Sequence, residues 1–248
     1  RLLFGKRIKH NNVYLKVFAP AGEAFWARRD LYLEGSGFRY PPLVAALLGP
    51  FAACGPLLGS LLWRALNFVV LVLGLRALTR AGLPFAQNSR ERALVLGLSI
   101  LVGIGGLNNG QANALVLGCL LLGMCAARNH HAARAAGLVG AATALKVYPF
   151  AFGMVLATLR PRLWLWLGIA LAAVVLLPYA MAPWAYVTDQ YRQLIEGLRA
   201  EDRTGDLSNA YRDLRLVLAA EHQLLAAIAN LGAARADRKS TRLNSSHT

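Results

Sequence analysis

Acidic side chains are scarce in this sequence: 12 Asp and Glu stand against 27 Lys and Arg in 248 residues. Between Glu34 and Asp189 the only carboxylate is Glu91. A proton-coupled transporter needs acids inside its membrane-embedded part, so their absence argues against that class. The basic excess does not indicate a nucleic-acid partner either. The basic residues fall in short segments between apolar runs, where they act as determinants of membrane topology.

The sequence also lacks the common motifs of metal and nucleotide sites. Its three cysteines, Cys54, Cys119 and Cys125, lie in apolar stretches without metal-ligand spacing, and they imply no disulfide framework. There is no Walker loop, no dinucleotide fingerprint and no His-Glu-x-x-His motif. His130 and His131 lie together in a polar segment and are interpreted as solvated residues. We therefore predict no metal site.

Apolar residues are abundant. They make up 56% of the chain, only 16% is charged, and the mean hydropathy is +0.43. Runs 57–78 and 163–182 are long enough to cross a bilayer, which takes about 20 residues. Shorter runs, interpreted as re-entrant or abbreviated helices, lie at 42–54, 93–107, 112–127, 135–145 and 150–159. The predicted fold is an all-α, polytopic transmembrane bundle in the plasma membrane.

Topology follows from the arginine-rich segments 76–92, 128–134 and 160–162. Placing all three in the cytoplasm turns the intervening runs into hairpins, whose tips at 108–111 and 146–149 face the outer side. We predict an incomplete domain over 1–236 and an artefactual polar tail. The segments are an outer loop 1–41, a bundle 42–183, a second outer loop 184–213, an amphipathic or partial span 214–236, and the tail 237–248.

Lys146 is the only charge between Arg134 and Arg160. A charge at membrane depth costs about 2.5–3.5 kcal/mol at a helix centre, so such residues usually face a cavity and serve function. Pro149 breaks the helix next to this charge, which suits a lysine that holds a phosphate. The alternative is a lysine that extends to the lipid headgroups.

The other tip gathers amide side chains in Asn108-Asn109-Gly110-Gln111, followed by Asn113. Amides donate and accept hydrogen bonds, which suits sugar hydroxyls or a phosphate. A polar turn with a helix cap explains the same residues equally well.

Four segments, in this order, are similar to glycosyltransferase family 87. They are Phe38-Arg-Tyr-Pro-Pro-Leu43, Leu62-Trp63 with Asn67, Gly110-Gln111-x-Asn113 and Ala144-Leu-Lys-Val-Tyr-Pro149. The resemblance covers about residues 10–215. It implies a C-type glycosyltransferase that moves a sugar, typically mannose, from a polyprenyl-phosphate donor to a lipid or glycan acceptor. The reaction would occur on the outer face of the cytoplasmic membrane, in the cell envelope, without a nucleotide or other cofactor.

The resemblance also implies site residues. Lys146 would contact the donor phosphate near the Gln111 turn. The expected donor-binding set is Arg39, Tyr40, Asn109, Gly110, Gln111, Asn113, Lys146 and Tyr148.

Mannosyltransferases of this family carry an Asp in the first outer loop, four residues before a Val-Tyr tyrosine. Here that register is His10-Asn-Asn-Val-Tyr14, so His10 stands where the acid is expected. An imidazole can act as a general base near neutral pH. Alternatively Asp30 or Glu34, later in the loop, takes the role.

Two rival functions stay open. One is a transporter or lipid flippase, which would also have broken helices and a buried cation. The other is a non-catalytic relative that binds polyprenyl phosphate.

Overall fold

The computed structural model describes residues 12–81 and 88–200, and all regular structure within these ranges is helical. A π-helical turn, Tyr14–Phe18, runs into α1, Ala19–Trp26. The further helices are α2 (Pro42–Ala53), α3 (Gly55–Arg80), α4 (Ser89–Asn108), α5 (Asn113–Arg128), α6 (Ala132–Leu145), α7 (Pro149–Leu159), α8 (Arg162–Met181) and α9 (Trp184–Ala200). The packing described below belongs to a compact unit that ends at Leu198.

Two helices in the described part, α3 and α8, are long and apolar enough to cross a membrane. They coincide with the predicted spans 57–78 and 163–182. Only 33% of the apolar window of α3 and 17% of that of α8 is buried. The core helix of a soluble protein would be mostly buried, whereas these helices present leucines outward, as lipid-facing helices do. The prediction of an all-α bundle is confirmed.

Helix boundaries follow local sequence signals. Gly55, at φ +80°, begins α3 directly after the turn at Cys54, and Pro56 follows in the first turn of α3. The start of α4 precedes the predicted run 93–107 because a capping box fixes it: the Asn88 side chain accepts from the Glu91 backbone N–H, and the Glu91 carboxylate accepts from the Asn88 N–H. Hydropathy alone does not detect this polar first turn.

The two segments predicted as outer loops contain regular structure. The π-helical turn and α1 lie within 1–41, and α9 lies within 184–213. Aromatic residues of α1 and its flanks are fully buried, among them Phe18, Phe25 and Phe38. Val187 and Gln190 of α9 are fully buried as well. Residues 12–41 are therefore part of the helical packing.

One end of the bundle holds the turns of the arginine-rich segments. There, small and apolar residues of α5, α6, α7 and α8 pack in one cluster: Ala126, Ala127, Ala135, Ala157 and Leu163. Arg128 donates a hydrogen bond of 2.6 Å to the carbonyl of Ala81, which joins the end of α3 to the same region. We call this region the basic end.

The opposite end carries the two predicted hairpin tips. One apolar cluster there joins Trp63 of α3, Leu115 of α5, Leu145 of α6 and Val187 of α9. The topology predicted from the arginine-rich segments assigns the basic end to the cytoplasm and the tips to the outer side. We call this second region the tip end.

The helix α6 is short for one that crosses a bilayer. Its 14 residues span about 20 Å, whereas the hydrocarbon core of a bilayer is about 30 Å thick. In the predicted topology, a helix of this length that starts at the basic end would end at Lys146 before it reaches the opposite boundary. Irregular backbone at such depth must line a cavity or be buried in protein.

Candidate functional site

The amide tip is a docked turn. Gly110 adopts φ +65°, which favours glycine, and a Cβ added there would lie 3.0 Å from the Cβ of Tyr14. The backbone N–H of Val13 donates to the carbonyl of Asn109 at 2.8 Å. Gly110 thus allows the turn to pack directly against the start of the π-helical turn, and the first outer segment is held at the tip.

Two side chains of α3 hold the other side of the turn. Trp63 donates its indole N–H to the carbonyl of Gly110 at 2.9 Å. Arg64 donates to the carbonyls of Leu107 and Asn108, at 3.2 and 2.9 Å. These carbonyls are at the C-terminus of α4, where a cation offsets the helix dipole and satisfies unpaired acceptors. Arg64 is thus a helix cap, a role that the sequence does not reveal.

Asn67, also on α3, caps the N-terminus of α5. Its side-chain oxygen accepts a 3.1 Å hydrogen bond from the Leu115 N–H in the first turn of α5, and its amide donates to the Trp63 carbonyl at 2.9 Å. Beside it, the Asn113 amide donates to the Gln111 side-chain oxygen at 2.8 Å. Asn113 is exposed and Gln111 is half-buried, so this amide pair can reach a ligand.

An aromatic cluster connects Tyr40 to the amide tip. Phe18 packs edge-on against both Tyr40 and Trp63, with ring centroids 5.3 Å apart in each pair. Burial raises the pKa of Tyr40, which keeps its hydroxyl protonated and able to donate a hydrogen bond. Tyr14 is fully buried against Trp63, and burial raises its pKa too. Neither tyrosine is suited to act as a base.

Lys146 ends α6 in an extended conformation, φ −153° and ψ 141°, and Pro149 begins α7 three residues later. The lysine side chain is half-buried, while Val147 and Tyr148 are 83% and 58% exposed. Within residues 12–81 and 88–200 the Lys146 ammonium has no hydrogen-bond or ion-pair partner. It is a cation that the described structure does not neutralise.

An apolar groove of about 470 Å³ extends to the end of α6, next to Lys146. Ala144 and Leu145, the two residues before the lysine, line it together with Trp63. The rest of the lining comes from α2, α3, α5, α6 and α8 and includes Leu43, Leu47, Phe51, Leu66, Leu115, Cys119, Ala141, Ala173, Val174 and Leu177. No charged side chain lines it. A groove of this kind suits a hydrocarbon chain.

Asp30 is held in place by α9. Its Oδ1 accepts hydrogen bonds from the side-chain amides of Gln190 and Gln193, both at 3.2 Å. Gln190 is fully buried, and its own oxygen accepts from the Leu31 N–H at 2.9 Å. Both carboxylates are exposed, but Glu34 lies in a turn and has no hydrogen-bond or ion-pair partner in the described part. His10 lies outside the described residues.

Asp30 also lines a cavity of about 220 Å³ on the outer segment. Lys16, Glu23, Arg29 and Ser36 line the same cavity, next to apolar residues that include Phe38. Polar and charged groups over an apolar floor suit a sugar or another polyhydroxylated group. No hydrogen bond or ion pair in the described part joins Asp30 or Glu34 to Lys146. Arg39 is exposed and donates to the Phe38 carbonyl at 3.0 Å.

Replacing Gly110 with alanine should destabilise the protein by about 2 kcal/mol, because the left-handed conformation costs 1–2 kcal/mol for a residue with a Cβ and the new methyl would crowd Tyr14. Thermal unfolding in detergent measures this loss. Gly105→Ala in α4 is the matched control, since an added Cβ there meets nothing within 4 Å. Equal stability of the two variants would contradict the docked turn.

Metal binding has no support in the described residues: no group of three or more His, Cys, Asp or Glu side chains there could hold a metal ion. The described residues offer instead a half-buried cation, an amide turn, the Tyr40 hydroxyl and a carboxylate positioned by two glutamines. Groups of these kinds can bind phosphate oxygens and hydroxyls.

Short and long apolar helices, with basic loops at one end and polar tips at the other, define a helical membrane-associated protein. The sequence profile of glycosyltransferase family 87 matches residues 38–242. Because this match covers most of the chain, the chain belongs to that family and is a membrane-associated glycosyltransferase. No solved structure gives a significant match.

The family match begins at Phe38, so it includes Arg39, Tyr40, the amide tip, Lys146 and Tyr148 but none of the three candidate bases. Sequence reasoning did not identify Gln190 as a residue that positions Asp30. The two are 160 residues apart, and only the docking of α9 brings them together.

Proposed function

We propose that this glycosyltransferase takes its sugar, typically mannose in this family, from a polyprenyl-phosphate donor and transfers it to a lipid or glycan acceptor. The reaction would occur at the tip end, on the outer face of the plasma membrane. The observation that carries the proposal is the apolar groove next to Lys146. A lipid-linked phosphate needs this pairing of a hydrocarbon site with a half-buried cation, whereas a nucleotide sugar has no use for the groove.

In this reaction, a base removes the proton from an acceptor hydroxyl while the oxygen attacks the anomeric carbon of the sugar. The bond from that carbon to the phosphate oxygen breaks, and polyprenyl phosphate leaves with one more negative charge. Lys146, assisted by Arg39, would stabilise this charge more strongly in the transition state than in the bound donor. The Gln111–Asn113 amide pair and Tyr40 would bind donor hydroxyls or phosphate oxygens.

Asp30 is the best-supported of the three candidate bases. Two glutamine amides orient its carboxylate, and it lines a polar cavity that could receive the acceptor hydroxyl. A general base must be positioned within hydrogen-bonding reach of its proton, and restraint by neighbouring side chains serves that need. Glu34 has no comparable support.

Narrowing the groove tests the donor assignment. Ala141→Phe on α6 should raise KM for a long-chain polyprenyl-phosphate donor by about tenfold, the contribution of roughly two buried methylene groups. A donor with a two-isoprene chain should be affected much less. The measurement is KM for each donor in detergent-solubilised enzyme.

Ala133→Phe is the matched control, because Ala133 is an exposed alanine of the same helix that does not line the groove. An equal KM increase for short-chain and long-chain donors, or the same increase in the control, would show that the groove does not bind the donor chain.

A further inference from the structure

A second cavity, of about 370 Å³, lies at the basic end, on the side of the bundle opposite to Lys146. It is formed where the α5–α6 turn meets the α7–α8 turn. Its ionisable lining is entirely basic: His130, Arg160 and Arg162. The glycosyl-transfer proposal uses none of these residues.

The two arginine side chains of this cavity are not paired with other groups in the described part of the protein. Arg64 and Arg128 donate to backbone carbonyls at helix ends. Arg160 and Arg162 are exposed and have no hydrogen-bond or ion-pair partner within residues 12–81 and 88–200. No carboxylate of the described residues lines the cavity, and Glu91, the only acid between Glu34 and Asp189, forms the capping box of α4. The cavity is therefore a concentration of positive charge without an internal counterion.

The backbone favours the same kind of ligand. The first residues of α6 and α8, Ala132 and Arg162, both line the cavity, and neither helix has a side-chain hydrogen bond at its N-cap. Helix N-termini favour anions, so they add to the arginine charge. His130 adopts a left-handed conformation, φ +61°, which turns the chain sharply between α5 and α6 at the cavity wall.

An amphiphile fits the cavity better than a soluble anion does. Apolar residues form part of the lining, including Ala127 and Leu163 of the cluster at the basic end. Leu159 also lines the cavity and is 70% exposed, which provides an apolar path from the cationic pocket to the surrounding lipid. Arginine guanidinium groups match the geometry of phosphate oxygens.

From this arrangement we propose that the cavity binds the phosphate headgroup of an anionic phospholipid in the leaflet at the basic end. Arg160 and Arg162 contact the phosphate, and the acyl chains pass over Leu159. Basic pockets between transmembrane helices on the cytoplasmic side bind such headgroups. The lipid would hold the α5–α6 and α7–α8 turns together, beneath the hairpin that carries Lys146.

The test uses the purified protein in neutral detergent. Short-chain phosphatidylglycerol, phosphatidylcholine with the same chains, and inorganic phosphate are titrated separately, and native mass spectrometry counts retained lipid. We expect retention of phosphatidylglycerol but not of phosphatidylcholine. Arg160→Gln/Arg162→Gln should weaken this binding about thirtyfold, since each arginine near an anionic surface contributes about a fivefold effect.

The control is Arg76→Gln/Arg134→Gln, which removes two exposed charges near the same end without touching the cavity lining. Unfolding temperatures without lipid identify any variant that is misfolded. Equal weakening in both double variants would overturn the proposal in favour of diffuse surface charge. Displacement of the lipid by an equal concentration of inorganic phosphate would overturn the assignment to a lipid headgroup.

Discussion

Lys146→Ala should lower kcat/KM for sugar transfer by about 10²–10³-fold, the loss seen when one preorganised group that stabilises developing charge is removed. The lysine is half-buried and without a partner in the described part of the chain, and it directly follows Ala144 and Leu145, which line the apolar groove. Its charge is therefore available to a leaving phosphate next to an apolar surface, where electrostatic stabilisation is stronger than in bulk water. Steady-state kinetics with a polyprenyl-phosphate sugar measure the effect.

Lys146→Arg should retain more activity than Lys146→Ala because it keeps the positive charge, although the planar guanidinium places its donors differently. Arg76→Ala is the control, since it removes one exposed charge far from the tip end. If Lys146→Ala kept near wild-type kcat/KM while the protein remained folded, Lys146 would only be extending to the lipid headgroups.

The second large effect on activity is expected at Asp30, the proposed general base. Asp30→Asn should reduce kcat by about 10²–10⁴-fold, the usual contribution of general-base catalysis. Asparagine keeps an oxygen that can still accept from Gln190 and Gln193, so the loop should remain docked on α9. Donor binding should change little. A large loss of kcat with intact donor binding would separate a chemical role from a structural one.

Glu34→Gln is the matched control, because it neutralises an exposed acid in the same segment, and it should keep near wild-type activity. His10→Gln is measured beside it, since His10 occupies the register in which related mannosyltransferases carry an Asp. If one of these two variants lost activity while Asp30→Asn stayed active, the residue replaced in the inactive variant would be the general base.

The helical architecture could be predicted because the signals are local. Apolar runs of different length predict the helices, and Gly55-Pro56 and Pro149 predict breaks between them. The arginine segments predict which helix ends lie at the same end of the bundle. In the predicted topology, the depth of Lys146 follows from the 14 residues of α6. The apolar run 93–107 does not include the first turn of α4, because that turn is polar and is fixed by a capping box rather than by hydropathy.

The hydrogen bonds that hold the candidate site residues in place could not be predicted, because they join residues far apart in the chain. Arg64 caps a helix end 43 residues away, and Asn67 caps another 48 residues away. Gln190 reaches Asp30 only because α9 packs on the first outer segment, and that segment looks like a polar loop by composition. Without such contacts, sequence reasoning cannot choose among His10, Asp30 and Glu34.

The most direct test of the central claim is a donor comparison in membranes that contain the protein. Radiolabelled polyprenyl-phosphate mannose and a nucleotide-linked mannose are supplied separately, with Lys146→Ala membranes as the control. A lipid-linked mechanism predicts label in a new lipid or glycan from the polyprenyl-phosphate donor alone, and loss of that label in the Lys146→Ala membranes. Transfer from the nucleotide donor would contradict a lipid-linked mechanism. Binding of polyprenyl phosphate without transfer of any sugar would instead favour a flippase or a non-catalytic relative.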